Sequence, residues 1–62
     1  MLIRKIEVFL RRTGMRATTF GRLAVRDPRF VSDLRDGRTP RARTEQRVEH
    51  FMNIVREKTH AV

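Results

Sequence analysis

The chain contains no cysteine, only two prolines and three glycines, and few carboxylates: seven Asp and Glu against fifteen Lys and Arg. Without cysteine there is no disulfide framework, no thiolate metal site and no thiol nucleophile, which favours a reducing compartment. No apolar run approaches the ~20 residues of a membrane span. The first ten residues carry Arg4, Lys5 and Glu7 within their apolar stretch, a pattern that does not read as a secretory leader. At 62 residues and 7.4 kDa the chain is expected to form one domain, residues 1–62, near the size where a single core is marginal. A fold of this length buries only roughly 60% of its unfolded surface, which argues against a deep substrate cavity. The expectation is a small, soluble, cytoplasmic, basic protein.

The excess of positive charge has a location. Of the net charge of +8, residues 11–43 hold ten arginines against three aspartates, net +7, whereas residues 44–62 are neutral. A device for solubility alone would spread its charges more evenly. A concentrated basic load points to a polyanionic partner. Arginine outnumbers lysine thirteen to two, a ratio that suits two-pronged binding of phosphate and guanine and that codon usage also explains. Codon usage does not explain the clustering.

Apolar periodicity predicts an all-α chain of four helices, with five as the alternative count. Leu2, Ile3, Ile6, Phe9 and Leu10 follow the i, i+3, i+4, i+7 spacing of one helical face. Gly14 supplies a stop, after Arg11 and Arg12 in the last turn. A short helix over about 17–25 presents Phe20, Leu23 and Ala24 as its apolar set, with Gly21 beside them. Asp27-Pro28 is a start signal, since Asp caps and Pro tolerates the first helical position. The third helix then runs to about Arg35 and ends at Asp36-Gly37. A basic connection containing Pro40 follows, and a last helix covers about 42–58, with Val48, Phe51, Met52 and Val55 on one stripe.

The third helix is the most informative. At ~100° per residue, Phe30, Val31 and Leu34 share one side, and Arg29, Ser32, Asp33 and Asp36 share the other. Two short helices joined through Val25-Arg26, between a longer helix before and another after, describe a helix-turn-helix unit over about 17–36. In such a unit the second helix enters the major groove and the first lies across the backbone. The groove is ~12 Å wide and admits a helix with modest side chains.

These residues carry a resemblance. Phe20-Gly21, then Val31 ten residues after the glycine, Leu34 three further on, and the Asp36-Gly37-Arg38 turn are similar to the helix-turn-helix of the lambda Cro and repressor-like family. The resemblance covers about residues 15–52. Val25 stands where the family usually has Gly at the turn, and Arg16 where a Ser or Thr often caps, with Thr18 or Thr19 as substitutes if the helix starts later. A Thr often opens the following helix in the family, here Thr44.

The resemblance implies a phage or bacterial regulator of transcription, a repressor type that binds double-stranded DNA without a cofactor or small-molecule ligand. It implies base contacts from Arg29, Ser32 and Asp33, with Asp27 and Pro28 shaping the entry to the recognition helix. It implies phosphate contacts from Arg16, Thr18 and Thr19 and from the loop residues Arg38, Arg41 and Arg43. The residues allow other roles: Arg29 and Asp33, four apart, suit an ordinary surface ion pair, and an acidic residue facing DNA needs a cytosine amino group or a neighbouring arginine to orient. Ser32 is small enough to permit close approach without reading a base.

The neutral last helix must cover the core made by Ile6, Phe9, Leu10, Phe20, Val31 and Leu34. Met52, Ile54 and Val55 are the candidate surface for a homodimer, which a two-fold operator requires. His50 and His60 lie ten residues apart with no cysteine and make no recognised metal site. No nucleophile with a base at fixed spacing and no glycine-rich phosphate loop is present, so no enzymatic activity is expected. The reading from a different class is a small basic structural or adaptor protein that binds RNA or docks another protein.

Overall fold

The computed structural model describes the backbone of residues 1–60 and side chains through Val55. Four helices follow one another, α1 (Leu2–Thr13), α2 (Ala17–Val25), α3 (Phe30–Arg35) and α4 (Ala42–His60), and the described residues contain no strand. None of these helices is long and apolar enough to cross a membrane.

Each helix ends for a local reason. Gly14 closes α1 in the left-handed region (φ 72°), its N–H donating to the Leu10 carbonyl at 2.9 Å. At the end of α2 the left-handed residue is Arg26 (φ 58°), one position beyond Val25. A β-branched residue pays most for that conformation, so Val25 stays helical and the turn moves to the arginine. Asp27 then caps as its identity predicts: Oδ1 accepts from the Arg29 N–H at 2.9 Å. Regular α-helix nonetheless begins only at Phe30, after a turn over Pro28 and Arg29, two residues later than the sequence suggests. Gly37 (φ 100°) closes α3 with its N–H on the Leu34 carbonyl. The last helix starts at Ala42, ahead of Thr44, and continues to His60, slightly past the expected end.

The core is the meeting point of these helices. Ile6, Phe20, Val31 and Val48, one from each helix, are its fully buried centre, and Leu2, Leu10, Ala24, Phe30 and Leu34 complete it. Phe9, Phe20 and Phe51 form an aromatic cluster, with Phe20 edge-on to both partners at ring-centroid distances of 5.5 Å. One residue departs from expectation. Leu23 is 59% exposed, because the inward arc of α2 is centred on Ala24, between Phe20 and Gly21. Gly21 faces the entry to α3, and a Cβ placed there would overlap the Asp27 carbonyl oxygen and sit 3.3 Å from the Phe30 Cβ. Glycine lets α2 and the start of α3 approach this closely, and the rotation that achieves it turns Leu23 outward.

The closest helix packing joins α2 to α3 and to α4, and α1 to α3. Between α1 and α4, Lys5 reaches Glu49 at 3.0 Å and the Phe9 and Phe51 rings lie 6.4 Å apart. The radius of gyration of 11.0 Å is close to the ~10.6 Å of a well-packed chain of this length.

Candidate nucleic-acid interface

The outer side of α3 is assembled by the burial of its inner side. With Phe30, Val31 and Leu34 in the core, Arg29 and Ser32 are exposed and Asp33 is half-buried. Arg29 precedes the first regular turn of α3 and makes no ion pair among the described residues. Asp33 pairs with Arg38, not with Arg29: the Arg38 Nη1 donates to Oδ2 at 3.0 Å, and the Arg38 backbone N–H also donates to the Asp33 carbonyl at 3.0 Å. Sequence reasoning set these two residues apart, one for bases and one for phosphates. The fold joins them, so the Asp33 carboxylate orients an arginine at the foot of α3.

The connection after α3 folds back against the helix. Arg38 and Arg41 line a depression of about 370 Å³ together with Asp27 at the entry to α3 and Phe30 and Leu34 on it. Arg43, already within α4, is exposed and does not line that depression. Two of the three loop arginines are therefore gathered beside α3, and the third is set apart from them.

The start of α2 contributes a different kind of donor. Arg16 precedes the helix in extended conformation (φ −76°, ψ 147°), and no side chain caps it. Thr18 and Thr19 lie within the first turn, so neither serves as the cap; both are exposed. An α-helix leaves its first N–H groups without intrahelical partners, and those groups carry the positive end of the helix dipole. Here they open beside an arginine and two hydroxyls, with no carboxylate in the first turn, a combination suited to a phosphate oxygen.

Glu7 on α1 and Glu49 on α4 are engaged in holding helices together. Glu7 on α1 receives two bonds from the Arg35 guanidinium, Nη2 to Oε1 at 2.7 Å and Nε to Oε2 at 3.1 Å. That hydrogen-bonded contact lowers the Glu7 pKa below its ordinary 4.5 and raises that of Arg35. Among the described residues only Arg35 and Arg38, of the arginines, form salt bridges. Arg16, Arg22, Arg26, Arg29, Arg41 and Arg43 are all exposed and have no carboxylate partner among the described residues. Sequence reasoning passed over Arg22 and Arg26; the signal that would have raised them is their place in the segment of net charge +7.

The proposed dimer residues do not share one surface. Met52 and Val55 line a groove between α1 and α4, whereas Ile54, 39% exposed, lies on another side of α4. The His60 side chain lies outside the described residues, and among those described no cluster of three or more His, Cys, Asp or Glu is placed to hold a metal. Comparison with protein-family models, with curated proteins and with solved structures finds no significant match to this chain.

Proposed function

We propose that this protein is a sequence-specific double-stranded DNA-binding regulator of transcription, with α3 in the major groove and α2 across the backbone. It belongs, on this reading, to the lambda Cro and repressor-like class of small phage or bacterial regulators. The observation that carries the proposal is the side of the molecule around α3. There the exposed Arg29 and Ser32 face outward opposite the core stripe, and Asp33 holds Arg38 at the foot of the helix. An uncapped α2 start and the exposed Arg41, with no carboxylate partner among the described residues, add to the basic character of this segment. Arg29 and Ser32 are assigned to base edges, and Asp33 to holding Arg38 in place as well as to any contact with a cytosine amino group. Arg16, Thr18, Thr19, Arg38, Arg41 and Arg43 are assigned to phosphates. Two copies occupy a two-fold site, with half-sites about one helical turn apart. The exposed Ile54 and the small size of the single core support a second subunit.

Selection from a random duplex pool by the intact protein tests this reading. The expected result is enrichment of one short, approximately palindromic sequence, bound with two protein chains per duplex. Equal recovery of all sequences, or preference for single-stranded RNA, would overturn it, and one chain per duplex would remove the dimer.

A further inference from the structure

The groove between α1 and α4 lies outside the proposed DNA-binding side and has its own chemistry. It is open to solvent, encloses about 1150 Å³, and is lined by Val8, Phe9 and Val55 together with Met1, Met15 and Met52. Those three are all the methionines of the chain. Met1 and Val8 are 94% and 45% exposed. A methionine-rich apolar surface is adaptable and is common where one protein receives a segment of another. The volume exceeds the ~300–1,000 Å³ typical of small-molecule sites, which favours a stretch of polypeptide over a metabolite.

The rim identifies the occupant. Arg4, Lys5 and Arg12 all lie along it from α1, against a single carboxylate among the described residues, Glu49, which already holds Lys5. Arg4 and Arg12 are exposed and have no carboxylate partner among the described residues. A second copy of this chain fits poorly. A two-fold contact sets the same patch against itself, bringing these cations face to face and leaving two hollows unfilled. A ridge with an apolar edge and acidic flanks satisfies both the floor and the rim.

We propose that the α1–α4 groove is a docking site for an acidic amphipathic helix of another protein. Its apolar edge lies on Val8 and the three methionines, and its carboxylates reach Arg4 and Arg12. Such a site gives a regulator with a single small domain a way to be recruited or controlled by a partner while α3 remains free.

The test uses the intact 62-residue chain without nucleic acid, so its outcome is independent of the DNA reading. The probes are three designed peptides of about 15 residues. One is an amphipathic helix with Leu at i, i+3, i+4 and i+7 and Glu elsewhere. The second is its twin with Lys for Glu, and the third an acidic scramble of the first. Affinity is read by fluorescence anisotropy, and the contacted surface by amide chemical shifts. The acidic helix is expected to bind about tenfold or more tightly than either control, with shifts confined to α1 and the 48–55 part of α4. The Val8→Asp variant, altered at an exposed position, and the Arg4→Gln/Arg12→Gln variant should each weaken it roughly tenfold without changing the thermal melt. Equal binding of the scramble, shifts on α2 and α3, or no binding by any peptide would overturn the proposal. A protein concentration series that moves the same groove amides without peptide would overturn it in favour of a second copy.

Discussion

The α1–α4 frame and the α2–α3 side of this molecule both carry charge, and they use it differently. From α1, Lys5 holds Glu49 on α4 across 44 positions of sequence, and Glu7 holds Arg35 at the end of α3 across 28. Those pairs tie together helices that are distant in the chain. On the outer side of α3 the Asp33–Arg38 salt bridge spans five positions and shapes only the foot of the helix. Asp27 is used on a backbone N–H, and Arg22, Arg26, Arg29 and Arg41 face solvent with no carboxylate partner among the described residues. Where carboxylate and cation are matched, charge fixes tertiary arrangement; where cations are left unmatched, it is available to a polyanion. The difference teaches that the net charge of +8 resides in cations left without a carboxylate partner among the described residues, on α2 and its connections and, on α1, at Arg4 and Arg12.

Four measurements bear on that contrast. The largest effect belongs to the shared core: Phe20→Ala removes the ring that meets both Phe9 and Phe51 and should cost about 3–5 kcal/mol, enough to abolish a cooperative thermal melt in a marginal domain. Leu23→Ala, three residues along the same helix but largely exposed, should change stability by no more than about 0.5 kcal/mol. Similar losses for the two would disprove the orientation assigned to α2. Next comes Gly21→Ala, whose Cβ meets the Asp27 carbonyl and forces α2 and α3 apart, at about 1–3 kcal/mol in urea unfolding.

On the binding side the expected losses are in DNA affinity, with melts unchanged. Arg29→Ala should cost ~1–3 kcal/mol at one base position and relax specificity there, whereas Arg41→Ala should weaken all sequences alike and reduce the salt slope by about 1. Identical behaviour of the two variants would erase the division between base and phosphate contacts.

The smallest effect is on the frame. Because folding depresses the Glu7 pKa, its bond to Arg35 stabilises the protein fully above the unfolded-state value near 4.5. That contribution disappears as the pH falls through the lower folded-state value. The melting temperature of Glu7→Gln should therefore lie slightly below that of the parent chain at neutral pH and converge with it in acid. A constant gap at all pH values would mean that the variant acts through packing instead.

Much of the fold was legible because its signals are local. Gly14 and Gly37 stop helices where a left-handed residue is needed, and Asp27 offers its carboxylate to the next N–H but one. The pairing of Phe30, Val31 and Leu34 on the inner side of α3 followed from periodicity alone. What escaped was whatever depended on the distance between elements. Leu23 has the spacing of a core residue, and only the close approach at Gly21 turns it outward. The shift of the left-handed turn to Arg26 reflects the poor fit of Val25 to that conformation, a cost visible in the sequence but assigned there to a family position. For the candidate site, Arg29, Ser32 and the basic connection were identifiable as polar residues opposite a core stripe. That Asp33 holds Arg38, and that Arg43 lies apart from Arg38 and Arg41, depended on how the chain turns after Gly37. The grouping of Met52 with Ile54 and Val55 joined residues close in number that the helix sends to different sides.

By itself, the sequence determined the helical class, the stops between helices, the inner and outer sides of α3 and the segment that holds the charge. Each depends on residue identity and on spacings of a few residues. Tertiary structure alone decided which cations are neutralised, which apolar residues remain uncovered, and that Met1, Met15 and Met52 come together in one groove. Those outcomes depend on distances between helices, which the packing of Gly21 against Asp27 and the ring cluster of Phe9, Phe20 and Phe51 set, and which no local spacing encodes.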